Sequence, residues 1–196
     1  MAAPLDESAM RQALDQAQNA WLVGEVPVGA VIVRDTPAGR QVVATGYNRP
    51  ITDHDPTAHA EIVALRHAAH LLGNYRLPEC EVYVTLEPCP MCAMALLHAR
   101  VKRVVFGARD PKAGAAGSVI DVFGNAALNH HTAVVGGVLE GAAGDVLRAF
   151  FVEKREQYRQ RRSPPTPADV TELVAERADE PIPTGESIEL GPKGVA

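Results

Sequence analysis

Two short stretches thirty residues apart hold the side chains with metal and proton chemistry: His59-Ala60-Glu61, and Pro88-Cys89-Pro90-Met91-Cys92. Imidazole nitrogen and thiolate sulfur are ligands that zinc prefers, and cysteines three apart at a helix start can turn both sulfurs to one ion. With His59, that makes three ligands. A structural zinc site closes with four protein ligands, whereas a catalytic one keeps three and leaves the fourth position to water. No fourth donor is obvious: Cys80 reads as a small buried hydrophobe at the head of a strand, while His54 and His98 stay open as alternatives. Glu61 supplies what an acidified water needs beside it, a proton carrier. Two residues apart in mid-helix, His59 and Glu61 would diverge, but at a first turn both can reach one cleft. If both helices begin at the metal, their positive ends favour thiolate there.

The elements that must position these groups can be read from periodicity. Met10, Leu14, Ala17 and Trp21 recur at helical spacing, which predicts a helix over 6–21. Residues 26–33 are almost all apolar, a strand buried on both faces, and 41–46 form its antiparallel hairpin partner across a turn at 35–39. Residues 48–57, with Pro50 and Pro56, form a loop leading into the first metal helix. Thr57 is the expected N-cap, Ile62, Leu65, Ala69 and Leu72 the buried stripe, Gly73 the end, and His67 and His70 surface residues. Residues 81–85, 89–98 and 103–108 read as strand, helix and strand, a parallel βαβ unit whose ligand site lies beyond the strand ends, where Pro88 and Cys89 fall. The glycine- and alanine-rich run 109–118 is expected to be a mobile loop at the same edge. A weak fifth strand at 134–138 and a helix over 142–160, burying Val146, Ala149, Phe150 and Val152, complete the pattern. The fold class is α/β: a three-layer α/β/α domain with a mixed five-stranded sheet.

Composition bounds the rest. With 196 residues and 46% hydrophobic content the chain can bury one core, expected over 1–162. No run reaches the eighteen or so apolar residues of a membrane span, and the start lacks a signal peptide's pattern, so no membrane is expected and the cytoplasm is the default. Three cysteines, two in Cys-x-x-Cys, suit metal binding rather than a disulfide framework. Net charge is −5, which is the charge of residues 163–196 alone, with seven acids and two bases. That segment, opened by Ser163-Pro164-Pro165-Thr166-Pro167, is expected to be a disordered acidic tail. The body is neutral, with Arg148, Lys154, Arg155, Arg159, Arg161 and Arg162 clustered near the last helix end, a feature suited to phosphate or simply a solvated helix terminus.

The pair of motifs resembles the H-x-E and P-C-x-x-C signature of the zinc-dependent nucleobase deaminases of the cytidine/deoxycytidylate type. Within that family the match is to the branch acting on tRNA adenosine, and it spans roughly residues 5 to 160. It is carried also by Glu25-Val26-Pro27-Val28-Gly29-Ala30-Val31, Tyr47-Asn48-Arg49-Pro50, His54-Asp55-Pro56-Thr57, Asn74-Tyr75-Arg76-Leu77 and Val104-Val105-Phe106-Gly107-Ala108-Arg109-Asp110. Tyr47, where the family leads one to expect tryptophan, and Pro90 are departures that remove no functional group. The resemblance implies a cytidine-deaminase-like fold, one Zn2+ per subunit held by His59, Cys89 and Cys92, Glu61 as catalytic acid and base, and a homodimer. It implies hydrolysis of adenosine to inosine at the wobble position in a tRNA anticodon loop. Asn48, Arg49, Arg109 and Asp110 would then hold the substrate, Pro88 would border it, and Ala60 would offer its backbone N–H to the developing oxygen. The end of the last helix would border the pocket, although a core role is expected for Phe150 and Phe151. A deaminase of free guanine or cytidine would share the metal site, and a zinc-stabilised RNA-binding module would need a fourth protein ligand.

Overall fold

The structure, a computed structural model, describes residues 4–162. A hairpin of β1 (Gly29–Thr36) and β2 (Gly39–Tyr47) opens the sheet, with Gly29 opposite Tyr47 and a register shift between Ile32 and Val33. β3 (Cys80–Leu86) pairs antiparallel with β1, and β4 (Arg103–Ala108) and β5 (Ala133–Gly136) follow in parallel, giving the order β2-β1-β3-β4-β5. The mixed five-stranded sheet is the one expected. The first strand starts three residues later than its apolar run suggests: Pro27 lacks the N–H that a ladder requires, and pairing begins at Gly29.

Alternation along the strands divides the core into two faces. Ala30, Ile32, Val82, Val84, Val104 and Phe106 pack beneath α2 (Ala60–Leu72) and α3 (Pro90–His98), while Val31, Val33, Tyr83 and Val105 pack against α1 (Pro4–Leu22). The last helix, α4 (Glu140–Arg162), sets Ala143 beside Gly107 of β4 and seats the buried Phe150 edge-on against Trp21, with ring centroids 5.6 Å apart. Its inner stripe is Ala143, Leu147 and Phe150; Ala149 and Val152, expected inside, face out, because that stripe follows the i, i+4, i+7 rhythm. Phe151 is also exposed.

On the α1 face a buried polar network has no counterpart in the sequence reading. Arg103 donates twice to Asp6, each bond 2.8 Å, and the Tyr83 hydroxyl donates to Asp6 at 2.6 Å. The Arg103 guanidinium holds the Asp6 carboxyl down at about 2 against the cost of burial. Through that carboxylate the first turn of α1 is tied to the middle of the sheet.

Of the described residues, 4–154 make one compact unit; residues 155–162, the end of α4, belong to a second, and there the Arg162 guanidinium lies 5.4 Å from the Tyr158 ring centroid. Of the basic cluster, Arg148 is paired with Asp145 and Arg159 with Glu156. The acidic tail expected over 163–196 lies outside the described residues.

Candidate active site

Helices α2 and α3 each begin at a residue of the expected metal cluster. His59 is the N-cap of α2 and Cys89 the N-cap of α3, each with extended backbone (φ −70, ψ 155 and φ −73, ψ 169) and neither forming a side-chain cap bond. With both side chains drawn into the His/Cys cluster and neither capping, each helix compensates differently. In α3, Pro90 at the first position has no N–H to satisfy. In α2, the N–H of Ala60 donates to Asn48 Oδ1 at 2.9 Å, so the cap comes from twelve residues upstream. Thr57, the expected cap, instead donates its N–H and hydroxyl to Asp55 Oδ1. Helix α2 can approach β2 this closely because position 46 is glycine: a Cβ there would stand 2.5 Å from the Ala60 carbonyl oxygen.

His59 Nδ1 lies 3.7 Å from Cys89 Sγ and 3.6 Å from Cys92 Sγ. Tetrahedral bonds of about 2.3 Å to sulfur and about 2.0–2.1 Å to nitrogen separate the two ligand atoms by about 3.6 Å, so the donor set already has the spacing of a zinc site. Among the described residues it is the single group of three or more such donors gathered this way. His54 and His98 stand outside it. Cys80 is a buried, free thiol at the head of β3, as expected. Cys92 hydrogen-bonds to Cys89, and this, with His59 nearby, draws the Cys89 thiol down to about 4 despite partial burial. The same bond and burial push the Cys92 thiol up, and the bond to Cys89 raises His59. A divalent cation relieves this unequal sharing by favouring both thiolates at once.

Glu61, in the first turn of α2, is buried, and burial pushes its carboxyl up to about 6 even though His59 and a hydrogen bond with Cys92 favour the charged form. The extended N-cap lets His59 and Glu61 serve the same end of the helix, which the two-residue offset required.

The loops around this centre are held rather than loose. Glu25, buried, accepts the N–H groups of Ile51 (2.8 Å) and Thr52 (2.7 Å) and the Thr52 hydroxyl (2.8 Å). Glu87, also buried, does the same for the segment after β4: it accepts the N–H groups of Asp110 (3.1 Å), Ala116 (2.9 Å) and Ser118 (3.1 Å) and the Ser118 hydroxyl. The 109–118 run expected to be mobile is therefore wrapped around one carboxylate. The sequence reading assigns neither glutamate a role; Glu25 opens the family-like run 25–31, and Glu87 stands directly before Pro88.

The remaining expected site residues fall as follows. Asn48 is buried beside Ala60, with its Nδ2 left without a protein partner among the described residues. The Ala60 N–H, expected to face a developing oxygen, is taken by Asn48. Arg49 lies with its guanidinium 4.5 Å from the Tyr47 ring centroid, its buried Nε unpartnered. Pro88 is buried directly before Cys89 and accepts the Ala115 N–H at 2.8 Å. Arg109 is exposed, 5.8 Å from the Phe106 ring centroid, and Asp110 accepts the N–H groups of Lys112 and Ala113.

Residues 4–108 match the model of the cytidine and deoxycytidylate deaminase zinc-binding region. The chain belongs to that family. As a member of this zinc-binding deaminase family it has a tRNA-specific adenosine deaminase of Haemophilus influenzae as a relative, 49% identical over 152 residues, which are 78% of this chain and 86% of the relative. Among solved structures, a deaminase described as editing A to I at the wobble position of transfer RNA is 43% identical, with a TM-score of 0.67, covering 71% of this chain and 99% of that one. A guanine deaminase from Nitrosomonas europaea aligns at 26% identity and a TM-score of 0.61, over 76% of this chain and 85% of that one. Zinc is the family's metal, and His59, Cys89 and Cys92 are the residues here with the spacing to hold it.

Proposed function

We propose that this chain catalyses zinc-dependent hydrolytic deamination of adenosine to inosine at the wobble position of tRNA, in the cytoplasm and as a homodimer. The reading is carried by the joined starts of α2 and α3, where one imidazole and two thiols gather beside the buried Glu61, in a chain 43% identical to a wobble-position tRNA deaminase.

His59, Cys89 and Cys92 hold the zinc, which when bound supplies a water acidified toward neutral pH. Glu61 is the proton carrier. It accepts a proton from the attacking water as the oxygen bonds to C6 of adenine, and passes it to N1. It then takes the second proton from the new hydroxyl and delivers it to the amino group, the C6–N bond breaks, and ammonia leaves with inosine behind it. Asn48 presents its free Nδ2 to the base while its oxygen keeps the first turn of α2 in place. Pro88 and Ala60 border the base, Ala60 without a free N–H to contribute. Arg49, Arg109 and Asp110 hold the neighbouring nucleotides, which must be unstacked because the target atom cannot be reached inside a helix.

The likeness to a guanine deaminase keeps a free-base or nucleoside substrate as the second reading. Purified protein should form inosine in total tRNA, read by sequencing, and release no ammonia from guanine, adenosine or cytidine at comparable rates. Ammonia from a free base without inosine in tRNA would reverse the assignment.

The homodimer has support in an apolar groove between α2 and α3 lined by Ile62, Leu65, Ala69, Met91 and Ala95, with Tyr75 67% exposed at its rim. Apolar grooves of this kind mark association surfaces. Sedimentation at micromolar concentration should give twice the chain mass; a monomer alone would remove this part of the proposal. For the compartment, thiol ligands suit a reducing environment, and among the described residues no helix is long and apolar enough to cross a membrane. Recovery in a membrane or secreted fraction would count against the cytoplasm.

A further inference from the structure

The two loops that flank the metal cluster come from opposite directions in the chain, yet they are built alike. Each is hung on a single buried carboxylate, Glu25 for the loop after β2 and Glu87 for the loop after β4, both 2% exposed. Glu87 gathers four donors from residues 110–118 and sits two residues before Cys89. The loop closes so tightly over this carboxylate that a Cβ at Gly114 would lie 2.5 Å from Glu87 Cδ. The same segment is fixed by two backbone bonds of 2.8 Å, Ala115 N–H to the Pro88 carbonyl and Glu87 N–H to the Ala108 carbonyl. Glu25 gathers three donors from Ile51 and Thr52, just after Asn48 and Arg49.

Neither glutamate is needed to bind zinc or move a proton. A carboxylate facing three or four donors is worth its place because it fixes several backbone groups at once, and removing it leaves those N–H groups buried without partners or frees the loop. We propose that Glu25 and Glu87 are positioning residues for the substrate RNA: they hold Arg49 on one side and Arg109 with Asp110 on the other at a set distance from the metal helices. The proposal rests on the tRNA reading above. Loops ordered before the encounter spare the complex the entropy of ordering them, so their loss should appear in binding and leave the chemistry at the helix starts intact.

The test uses the zinc-loaded full chain carrying Glu87→Gln or Glu25→Gln, with inosine formation in tRNA as the assay. A neutral amide keeps the shape but offers one acceptor oxygen. KM for tRNA is expected to rise about tenfold or more, with kcat within about twofold and zinc content unchanged. Hydrogen exchange at the Asp110, Ala116 and Ser118 amides should quicken in the Glu87 variant only, and at Ile51 and Thr52 in the Glu25 variant only. Ser118→Ala, which removes one donor and leaves Glu87 in place, should raise KM a few-fold and decides the matter if Glu87→Gln does not fold. Faster exchange with unchanged KM, or a fall in kcat with loss of zinc, would overturn the proposal. The underlying function is judged separately: if the unaltered protein makes no inosine in tRNA, that reading fails, whereas an active parent whose glutamate variants keep its KM overturns the glutamate proposal alone.

Discussion

Glu61→Gln is expected to keep its zinc and lose at least about a hundredfold in turnover, the lower end of what a positioned acid–base group contributes. Glutamine has the same length and fits the same buried place at the first turn of α2, so the helix start, the Asn48 bond to Ala60 and the three ligand side chains should be undisturbed. What it lacks is a carboxylate able to accept a proton and return it. The buried site suits this double role, since burial works against the charged form of the Glu61 carboxyl and so favours its taking a proton. Steady-state rates of inosine formation, with zinc measured on the same preparation, would check this. Turnover near that of the unaltered enzyme would take the proton-carrying role away from Glu61.

Cys89→Ala should be more damaging, because it removes the metal itself. Two donors, His59 and Cys92, 3.6 Å apart, would remain of the three. The helix should tolerate the change: Cys89 makes no side-chain cap bond, and Pro90 leaves no N–H at the first position to satisfy. The expected result is a folded protein with little zinc and no detectable inosine formation. Metal analysis of the purified variant is the check, and a zinc content equal to that of the parent would refute the ligand assignment.

Much of this architecture can be read from the chain because the features are local. The β4 strand is a clean apolar run flanked by polar residues, and the structure places it at the expected 103–108. Gly73 ends α2 with φ 62, as its position after Leu72 suggests. His59, Cys89 and Cys92 carry a signal in residue type and spacing alone. What escaped is polar and long-range. The partners of Asp6 lie 77 and 97 residues away, and those of Glu87 lie 23 to 31 residues on, distances at which periodicity says nothing about who satisfies a buried carboxylate. The expectation for Thr57 failed for a related reason: the usual preference for a threonine cap assumes that the N-cap side chain is free to cap. Here that place belongs to His59, whose side chain lies in the His/Cys cluster, and the duty passes to Asn48, whose oxygen accepts from the first turn of the helix.

The most direct measurement of the site is X-ray absorption at the zinc edge of the purified, unaltered protein. It should give one nitrogen at about 2.0–2.1 Å, two sulfurs at about 2.3 Å and one further oxygen from water. A shell completed by a third sulfur or a second imidazole would describe a closed, structural zinc and contradict catalysis at this centre.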